Sequence, residues 1–418
     1  MINSQIYYNQ LQKKYSRKIT LGLSRIRKAL LLLGSPELKL LQPCNIIGSD
    51  GKYTTGINLL MFIEASGKTV SHFVSPHLFR LESRFWLKNR FIKLNEIKNY
   101  EKMISKLKIK LSLFELLTVI HILAASKAKA HYNLIEAGLL FAKDSTRLWK
   151  KPLLQVCTNL NLQHKEWIYP KTINEVVRQK CGYLSNHSNI YIGKQKPKVL
   201  NIVKKILKKN KSKIIYPTKW KIIYKNKKIF YKDKNNIIQI KSNYIHSNGL
   251  IDNLGLSIKI ALDLNIKPKI IEKTIPKISY EGRIQYITKG KLRKLIHRKE
   301  DLLLDGCHSN ESASNLYNYL KQLNVPIYGL WGMQKNKFPH QFLKNFNGIF
   351  KKIVTFKIDS EPNAMGSEEL KKIAIKLGYE TVDAKNFKEG LKIISSKSKK
   401  IILVFGSLYG VGSVLKFN

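Results

Sequence analysis

Cysteine is scarce in this chain. Its 418 residues include four cysteines, at positions 44, 157, 181 and 307, and no two of them form a C-x-x-C pair. Such wide spacing argues against a structural zinc site and against a disulfide framework. We therefore expect reduced, mostly buried thiols.

Long apolar runs are also missing. The sequence has no apolar run of about 18 residues, the length that marks a membrane-spanning helix. Residues 1–18 are too polar to provide the apolar core of a signal peptide. We expect a cytoplasmic protein without a membrane partner.

Acidic residues are few. The chain has 27 Asp plus Glu against 76 Lys plus Arg, a net charge of +49 that is more typical of nucleic-acid binders than of metabolic enzymes. The lysines are spread along the chain and occur with Ile and Asn, as in 204–215 and 224–241, which favours a general compositional bias. Aromatic residues between these lysines are compatible with an RNA-binding sheet and equally with an ordinary solvent-facing sheet. We expect no specific nucleic-acid partner.

The most informative pattern lies between Cys44 and Leu78. An apolar strand, 44–47, leads into Gly48-Ser49-Asp50-Gly51-Lys52-Tyr53-Thr54-Thr55, with a helix predicted from Thr54. Glycines let backbone N–H groups surround a polyphosphate, a helix N-terminus favours anions, and lysine and threonine can serve phosphate and Mg²⁺. The pattern therefore predicts a nucleotide-binding loop made of Gly48, Gly51, Lys52, Tyr53, Thr54 and Thr55. Because the loop departs from the usual pattern at Ile46 and Tyr53, a plain turn between strand and helix remains the alternative.

Apolar periodicity predicts alternating strands and helices, and hence a mostly parallel sheet covered by helices. We predict helices at 54–65, 113–127 and 174–180, strands at 70–74, 132–135 and 153–157, and an antiparallel sheet over 213–241. A helix pair at 251–264 and 268–274 follows, and a second strand–helix series begins at 301. We therefore expect an N-terminal domain over 1–286, a linker at 287–299, and a smaller Rossmann-like domain over 300–418.

Polar residues follow several of the apolar strands. Ligands of open α/β sheets bind beyond the carboxyl ends of the strands, so these residues can converge on one cleft. Mg²⁺ prefers oxygen ligands, which suggests a metal site built from Thr54, Ser75, Glu136 and His164. The alternatives are a solvated loop acid at Glu136 and a structural histidine at His164.

The order of the motifs resembles the folylpolyglutamate synthase and dihydrofolate synthase family, relatives of the Mur ligases. Residues 48–52 stand where that family has G-T-N-G-K, 75–78 match its S-P-H-L, and 114–115 its F-E. Residues 136–139 are similar to E-V-G-L, 162–164 to L-D-H, 179–182 to E-K-A-G, and 304–308 to L-D-G-A-H. Gly282-Arg283 and Gly406-Ser407 follow in family order.

The resemblance implies a P-loop-type, Mur-ligase-like ATPase domain with a mostly parallel and a small antiparallel sheet, followed by the Rossmann-like domain. It implies ATP and Mg²⁺ as cofactors, with nucleotide contacts at Asn253, Arg283 and Asp305. Lys180 corresponds to a lysine that is carbamylated in the family, and a solvent-exposed helix lysine is the alternative. The resemblance assigns catalytic roles to Lys52, Lys180 and His308. It assigns substrate contacts to Glu115, Asp144 and Ser407.

The implied reaction is ATP-dependent amide formation between a substrate carboxylate and the amine of L-glutamate, through an acyl phosphate. The implied partners are dihydropteroate or folate and L-glutamate, and we expect a monomer. Departures such as Tyr53, Gln163 and Ser309-Asn310 keep other hypotheses open. These are a Mur-type ligase, a weakened descendant that binds nucleotide without turnover, and a basic nucleic-acid-binding protein.

Overall fold

The chain folds into two compact units. The computed structural model describes residues 4–15, 21–78, 80–226, 228–242, 247–359 and 361–418. The N-terminal unit comprises residues 1–241 and 250–278, and the C-terminal unit comprises residues 242–249 and 279–418. The sequence-based domain limits, with a linker at 287–299, stay a prediction.

A large, mostly parallel sheet organises the N-terminal unit. Its strands are β1 Pro43–Ile47, β2 Val70–Phe73, β3 Phe85–Lys88, β4 Arg90–Phe91, β5 Tyr132–Glu136, β6 Leu154–Cys157, β7 Asn189–Ile192 and β8 Lys213–Ile215. They form one sheet in the order β4-β3-β2-β5-β1-β6-β7-β8. The β2–β3 and β3–β4 pairs are antiparallel, and the other pairs are parallel. Strands β1, β2 and β6 are buried along their whole length, as strands of a sheet covered on both faces should be.

Helices cover this sheet through two apolar clusters. The helices of the unit are α1 Ser4–Lys14, α2 Ser24–Leu32, α3 Lys52–Ala65, α4 Leu94–Ser105, α5 Leu113–Ala128, α6 Ile173–Cys181, α7 Pro197–Leu207, α8 Asn248–Asp263 and α9 Pro268–Thr274. One cluster joins α1, α2, α4 and α5 to β2 and β3, and another joins α6 and α7 to β6 and β7. No helix among the described residues has both the length and the apolar character needed to cross a membrane.

The small antiparallel sheet predicted over 213–241 is confirmed for most of that range. Its strands are β9 Lys221–Lys225, β10 Lys228–Lys232 and β11 Ile237–Ile240, in the order β11-β10-β9. The prediction is wrong for Lys213–Ile215, because this segment pairs parallel with β7 and extends the large sheet. A short Lys-Ile run gives no signal that distinguishes the two pairings.

The C-terminal unit is the predicted Rossmann-like α/β sheet. Its strands are β12 Gln285–Tyr286, β13 Glu300–Asp305, β14 Ile327–Trp331, β15 Phe350–Phe356, β16 Thr381–Ala384 and β17 Lys400–Phe405, in the order β12-β13-β17-β14-β15-β16. Only the β12 pairing is antiparallel among these described strands. The helices are α10 Asn310–Leu320, α11 Pro339–Lys344, α12 Ser367–Lys376, α13 Phe387–Ile394 and α14 Leu408–Phe417.

Candidate active site

The predicted phosphate loop lies between β1 and α3. Gly48 has φ 155° and Gly51 has φ 86°, a range that glycine adopts without strain. A Cβ at Gly48 would collide with the Thr158 hydroxyl, and a Cβ at Gly51 would lie 2.6 Å from the Asn253 amide. Helix α3 begins at Lys52, two residues before the predicted start, so its N-terminus follows the loop directly. Both glycines are therefore needed for the path of the chain.

Two lysines converge on one carbonyl of this loop. Lys52 Nζ donates to Gly48 O at 3.0 Å and to Ser49 O at 3.2 Å, while Lys180 Nζ donates to Gly48 O at 2.9 Å. Lys180 is 3% exposed, which excludes the solvent-exposed alternative considered from the sequence. Burial, reinforced by the nearby charge of Lys52, lowers the pKa of Lys180 to about 7. A substantial fraction of this side chain is therefore a neutral amine near neutral pH.

Glu136 and Ser75 lie together beside the loop. Glu136 is the last residue of β5, is 1% exposed, and pairs in register with Ile46 on β1. Its Oε2 accepts a hydrogen bond from the Ser75 backbone N–H at 3.4 Å, whereas Oε1 has no hydrogen-bond partner among the described residues. A buried carboxylate oxygen without a donor suits a cation.

Arg84, which was not among the predicted metal-site residues, contacts the loop that contains Ser75. Arg84 Nη1 donates to Ser75 Oγ at 3.1 Å, and Arg84 Nε donates to His77 Nδ1 at 2.7 Å. Burial, with the adjacent Arg84 charge, holds the pKa of His77 well below its usual range, so His77 is a neutral acceptor here. The signal available in the sequence is that Glu82 and Arg84, beyond the S-P-H-L motif, resemble two charged residues of the family.

Thr54 and Asn253 contact each other at the start of α3. Thr54 Oγ1 donates to Gly51 O at 3.1 Å and accepts from Asn253 Nδ2 at 2.9 Å. Thr55 is fully buried, with a hydroxyl that has no partner among the described residues, and Tyr53 is partly exposed. Asn253, which the family resemblance predicts to contact the nucleotide, thus lies against the phosphate loop.

His164 lies in the loop after β6. It has φ 58°, and its Nδ1 is 3.9 Å from the Glu166 carboxylate. Within the described ranges, no group of three or more His, Cys, Asp or Glu residues is arranged to hold a metal. The candidate metal ligands are the hydroxyls of Thr54 and Ser75 and the carboxylate of Glu136, and these oxygen ligands are compatible with Mg²⁺. A ligand role for His164 stays a prediction.

The loop after β6 also anchors the phosphate loop, a feature that sequence reasoning missed. Thr158 Oγ1 donates to Asp50 O at 2.6 Å, and Ser49 N donates to Asn159 O at 2.8 Å. The Asp50 carboxylate accepts from Asn161 Nδ2 at 2.5 Å and from Gln163 Nε2 at 3.3 Å. The available signal was a pair of departures, since the family has Asn at the Asp50 position and Asp at the Gln163 position.

Glu115 and Asp144 make contacts inside the protein. Glu115 caps α5 by accepting from Ser112 N at 2.8 Å, and it pairs with Arg25 at 2.9 Å. Both Asp144 oxygens accept bonds within its own loop, from Leu139 N at 2.7 Å and Thr146 Oγ1 at 2.6 Å. Burial raises the pKa of Asp144 despite these bonds and the nearby charge of Lys180. These contacts support positioning roles, and direct substrate contact stays a prediction for both.

In the C-terminal unit, Asp305 and Ser407 follow paired strands. Asp305 ends β13, whose neighbour β17 ends at Phe405, with Asp305 and Phe405 in register. The Asp305 carboxylate accepts from Ile284 N at 2.9 Å and Cys307 N at 2.8 Å, and burial raises its pKa against the opposing charge of Arg283. Ser407, which is 1% exposed, accepts from Gly410 N at 3.4 Å as the N-cap of α14.

His308 and Arg283 are the other two predicted site residues of the C-terminal unit. His308 Nδ1 lies 2.9 Å from Gly306 O, and Arg283 Nη1 donates to Gly282 O at 3.0 Å. A Cβ at Gly306 would approach Arg283 Nη1 to 2.7 Å, so this glycine leaves room for the guanidinium. Arg283, Asp305 and the loop 306–308 therefore lie at one edge of the C-terminal sheet.

Comparisons with known proteins agree with this arrangement. A family model described as "Dihydrofolate synthetase, C-terminal domain" matches residues 288–417. The dihydrofolate synthetase of Saccharomyces cerevisiae is 23% identical, over 96% of this chain and 98% of the relative. The dihydrofolate synthase/folylpolyglutamate synthase of Bacillus subtilis is 24% identical, over 94% of each chain.

Solved structures share the fold over nearly the whole length. The folylpolyglutamate synthase of Mycobacterium tuberculosis, complexed with ADP and AMPPCP, matches with a TM-score of 0.84 at 17% identity, covering 99% of this chain and 98% of that one. An Escherichia coli protein in complex with DHPP and ADP matches with a TM-score of 0.83 at 19% identity, covering 98% and 96%. These comparisons support the resemblance to the folylpolyglutamate synthase and dihydrofolate synthase family that the sequence motifs indicate.

Proposed function

We propose that the protein is an ATP- and Mg²⁺-dependent ligase that joins L-glutamate to the carboxylate of a pterin-containing acceptor. The observation that carries this proposal is the phosphate loop with Lys52 and Lys180 on one carbonyl, next to the buried carboxylate of Glu136. Relatives in the same fold have been solved with AMPPNP and Mn, and with L-glutamate bound. The chain has the residue types that these ligands require.

Dihydropteroate is the acceptor that the comparisons favour. The family model that matches residues 288–417 is the one for dihydrofolate synthetase, and the S. cerevisiae relative carries the same name. Bifunctional relatives, such as the one from B. subtilis, keep a folate acceptor as the second candidate. An assay with both acceptors separates the two.

The proposed reaction has two steps. The acceptor carboxylate attacks the γ-phosphoryl group of ATP, which forms an acyl phosphate and releases ADP. The amine of L-glutamate then attacks the acyl carbon, and phosphate leaves with its bridging oxygen. Activation is needed because a carboxylate oxygen is a poor leaving group, whereas phosphate is a good one.

In the N-terminal unit, the proposed work is positioning and charge neutralisation. The loop N–H groups and Lys52 would hold the phosphates, and Thr54, Ser75 and Glu136 would hold Mg²⁺. Bound Mg²⁺ would supply charge neutralisation at the transferring phosphoryl group. Arg84 would orient the Ser75 hydroxyl, because it donates to that oxygen.

Lys180 is proposed to react with CO₂. A neutral amine attacks CO₂ and loses a proton, which leaves a carbamate and converts a cation into an anion. The pKa of about 7 makes the neutral amine available at physiological pH. ¹³C NMR with labelled bicarbonate would detect the carbamate in the wild-type protein, and its absence from wild type would reject this part of the proposal.

The C-terminal unit contributes predicted roles that rest on the family resemblance. These are nucleotide contacts at Arg283 and Asp305, positioning of glutamate or the acyl phosphate by His308, and a substrate contact at Ser407. The monomeric state expected from the sequence also belongs to the proposal, and light scattering measures it.

The test is phosphate release from Mg²⁺-ATP with dihydropteroate or tetrahydrofolate, with and without L-glutamate. We compare the wild-type chain with Glu136→Gln and with the control Glu368→Gln, whose side chain is 75% exposed on α12. We expect release that requires both acceptor and glutamate, and a loss of at least about 100-fold in Glu136→Gln, because this removes a metal ligand. The control should match wild type.

Other outcomes distinguish the remaining hypotheses. ATP binding without release under any condition would favour a weakened descendant. Release with a nucleotide-sugar carboxylate but with neither pterin acceptor would favour a Mur-type ligase. Failure to bind ATP would contradict the hypothesis that the protein is an ATP-dependent enzyme.

A further inference from the structure

A second buried polar group faces Glu136 from the neighbouring strand. His72 lies in β2 and is 2% exposed, and its Nε2 is 3.7 Å from Glu136 Oε1. Neither atom has a hydrogen-bond partner among the described residues. Two buried, unpartnered polar atoms that face each other call for an explanation, because buried polar groups in proteins are nearly always paired.

The register of the sheet creates this juxtaposition. In the parallel β2–β5 pair, His72 lies opposite Leu134, and Glu136 is two residues further along β5. Side chains two residues apart on a strand point to the same face, so His72 and Glu136 share a face. The pairing of imidazole and carboxylate is therefore fixed by backbone hydrogen bonds.

A glycine in the phosphate-loop helix leaves space for the imidazole. Gly56 belongs to α3, and a Cβ at this position would lie 2.5 Å from His72 Nε2 and 2.6 Å from His72 Cε1. No real Cβ could remain so close, so any larger residue at position 56 would displace the ring. The close approach means that His72 packs directly under the helix that begins at Lys52.

A second buried histidine gives a matched comparison. His121 on α5 stacks on Phe73 with ring centroids 5.0 Å apart, and neither of its ring nitrogens has a partner among the described residues. Burial, with the nearby His72, lowers the pKa of His121 to about 3, so His121 is neutral. His121 therefore resembles His72 in chemistry and burial, but lies among aromatic rings.

We propose that His72 is a positioning residue for Glu136, donating from Nε2–H to Oε1 and so fixing the orientation in which the carboxylate meets a divalent cation. This inference rests on the proposed function, in which Glu136 binds Mg²⁺. A carboxylate offers about four acceptor positions, so bonds from His72 and from the Ser75 N–H leave others for the cation. Second-shell donors of this kind fix ligand orientation in metal sites.

The separation in the structure is longer than a hydrogen bond. An N–H···O bond is usually about 3 Å long, whereas these atoms are 3.7 Å apart. Each of the two atoms lacks a hydrogen-bond partner among the described residues, and they face each other across this gap. A small side-chain rotation therefore satisfies both atoms at once.

The test measures Mn²⁺ binding by electron paramagnetic resonance in the presence of ADP, without turnover. The variants are His72→Leu, which removes the donor, His72→Gln, whose amide can still donate, and the control His121→Leu. We expect Mn²⁺ affinity to fall about 10- to 100-fold in His72→Leu, the usual effect of losing a second-shell partner. His72→Gln should recover most of that loss, and His121→Leu should bind as wild type does.

Several outcomes would overturn the inference. Wild-type Mn²⁺ affinity in His72→Leu would do so, as would an equal loss in His121→Leu, which would indicate a general packing effect. Glu136→Gln distinguishes failure of the proposed metal site from failure of the proposed role of His72. If it leaves Mn²⁺ affinity unchanged, the proposed metal site fails, whereas a loss there with none in His72→Leu removes only the role of His72.

A measurement on the unaltered protein covers the case in which His72→Leu does not fold. Nitrogen-15 NMR of labelled histidines, with Mg²⁺ and ADP present, reports which ring nitrogen carries the proton. The inference predicts that the His72 ring carries a proton at Nε2. A ring protonated only at Nδ1 would contradict it, because Nε2 could not then donate to Glu136.

Discussion

At the phosphate loop, one backbone carbonyl accepts hydrogen bonds from two lysine side chains. Lys52 and Lys180 both reach Gly48 O, although like charges repel each other. Burial of Lys180 and repulsion from Lys52 both lower the pKa of Lys180, from 10.5 to about 7. This side chain is therefore destabilising as a cation and well suited to carry a neutral or modified form.

The first prediction concerns pH and Lys180. Between about pH 7 and 10.5, the unfolded chain keeps a proton on Lys180 that the folded chain has released. The unfolded state binds more protons there, so the contribution of Lys180 to the free energy of unfolding rises with pH and is flat below pH 7. Urea unfolding in CO₂-free buffer should show this rise in wild type relative to Lys180→Met. The exposed Lys143, changed to Met, should show no such trend, and a flat Lys180 difference would contradict the prediction.

The second prediction concerns Asp50 and Gln163. Relative to the family motifs, the acid and the amide have exchanged places, and the structure brings them to 3.3 Å. Gln163→Asp alone would place two carboxylates together, and should lower the free energy of unfolding by about 1–3 kcal/mol. Adding Asp50→Asn restores an acid–amide pair and should recover most of that loss.

A double-mutant cycle measured by urea unfolding tests this coupling, and ATP-analogue affinity provides a second readout. Asp50→Asn alone should change the free energy of unfolding only slightly, because two amides can still form a hydrogen bond. Additive effects of the two substitutions would show that the residues are not coupled.

At the scale of elements, α3 has a glycine in the left-handed region at each end. Gly51 precedes the helix with φ 86°, and Gly67 follows it with φ 84°. A Cβ at Gly51 would lie 2.6 Å from the Asn253 amide, whereas a Cβ at Gly67 has nothing within 4 Å. The two positions share the backbone strain and differ in their surroundings.

The third prediction uses this pair. Gly67→Ala should cost about 1 kcal/mol of stability, the usual penalty for a left-handed alanine. Gly51→Ala should cost more and should also weaken ATP-analogue binding, because Asn253 and the loop must shift. Chemical unfolding and calorimetric titration provide the two readouts, and indistinguishable variants would contradict this account of the loop.

Sequence reasoning recovered the elements whose signal is local. Strand β1, helix α5 and the buried carboxylate at the end of β5 follow from apolar runs, from apolar periodicity over 113–127 and from the position of Glu136 after an apolar strand. The short strand β16, Thr381–Ala384, was missed because its residues are mostly half-buried and give no apolar run. Helix α13, Phe387–Ile394, was missed as well.

Features that depend on pairing could not be predicted. Lys213–Ile215 has the same Lys-Ile composition as the antiparallel strands, yet it pairs parallel with β7. The approach of His72 to Glu136 depends on the register of β2 against β5, which no local pattern encodes. The burial of Lys180 depends on packing that a helix rich in polar residues does not reveal.

At the scale of the whole molecule, the dominant property is the net charge of +49. Long-range attraction to polyanions follows from such a charge without any specific site. Within the described chain, lysines are exposed on many elements, including α7, β9 and α12. The charge therefore predicts general rather than selective binding.

The fourth prediction is that the protein binds DNA and RNA oligonucleotides at low salt without sequence preference. Affinity should fall by orders of magnitude between about 0.05 M and 0.2 M salt, as expected for counterion release. Fluorescence anisotropy with two unrelated sequences and a salt series measures this. A sequence preference, or binding that persists at high salt, would favour a dedicated nucleic-acid site.

In the proposed reaction, this chain joins glutamate to an acceptor carboxylate through an acyl phosphate. The most direct measurement uses dihydropteroate labelled with oxygen-18 in its carboxylate, and analyses the released phosphate by mass spectrometry. The acyl-phosphate route predicts one labelled oxygen in each phosphate formed with the amide product, because the bridging oxygen leaves with phosphate. Unlabelled phosphate, or phosphate release that does not require the acceptor, would contradict it.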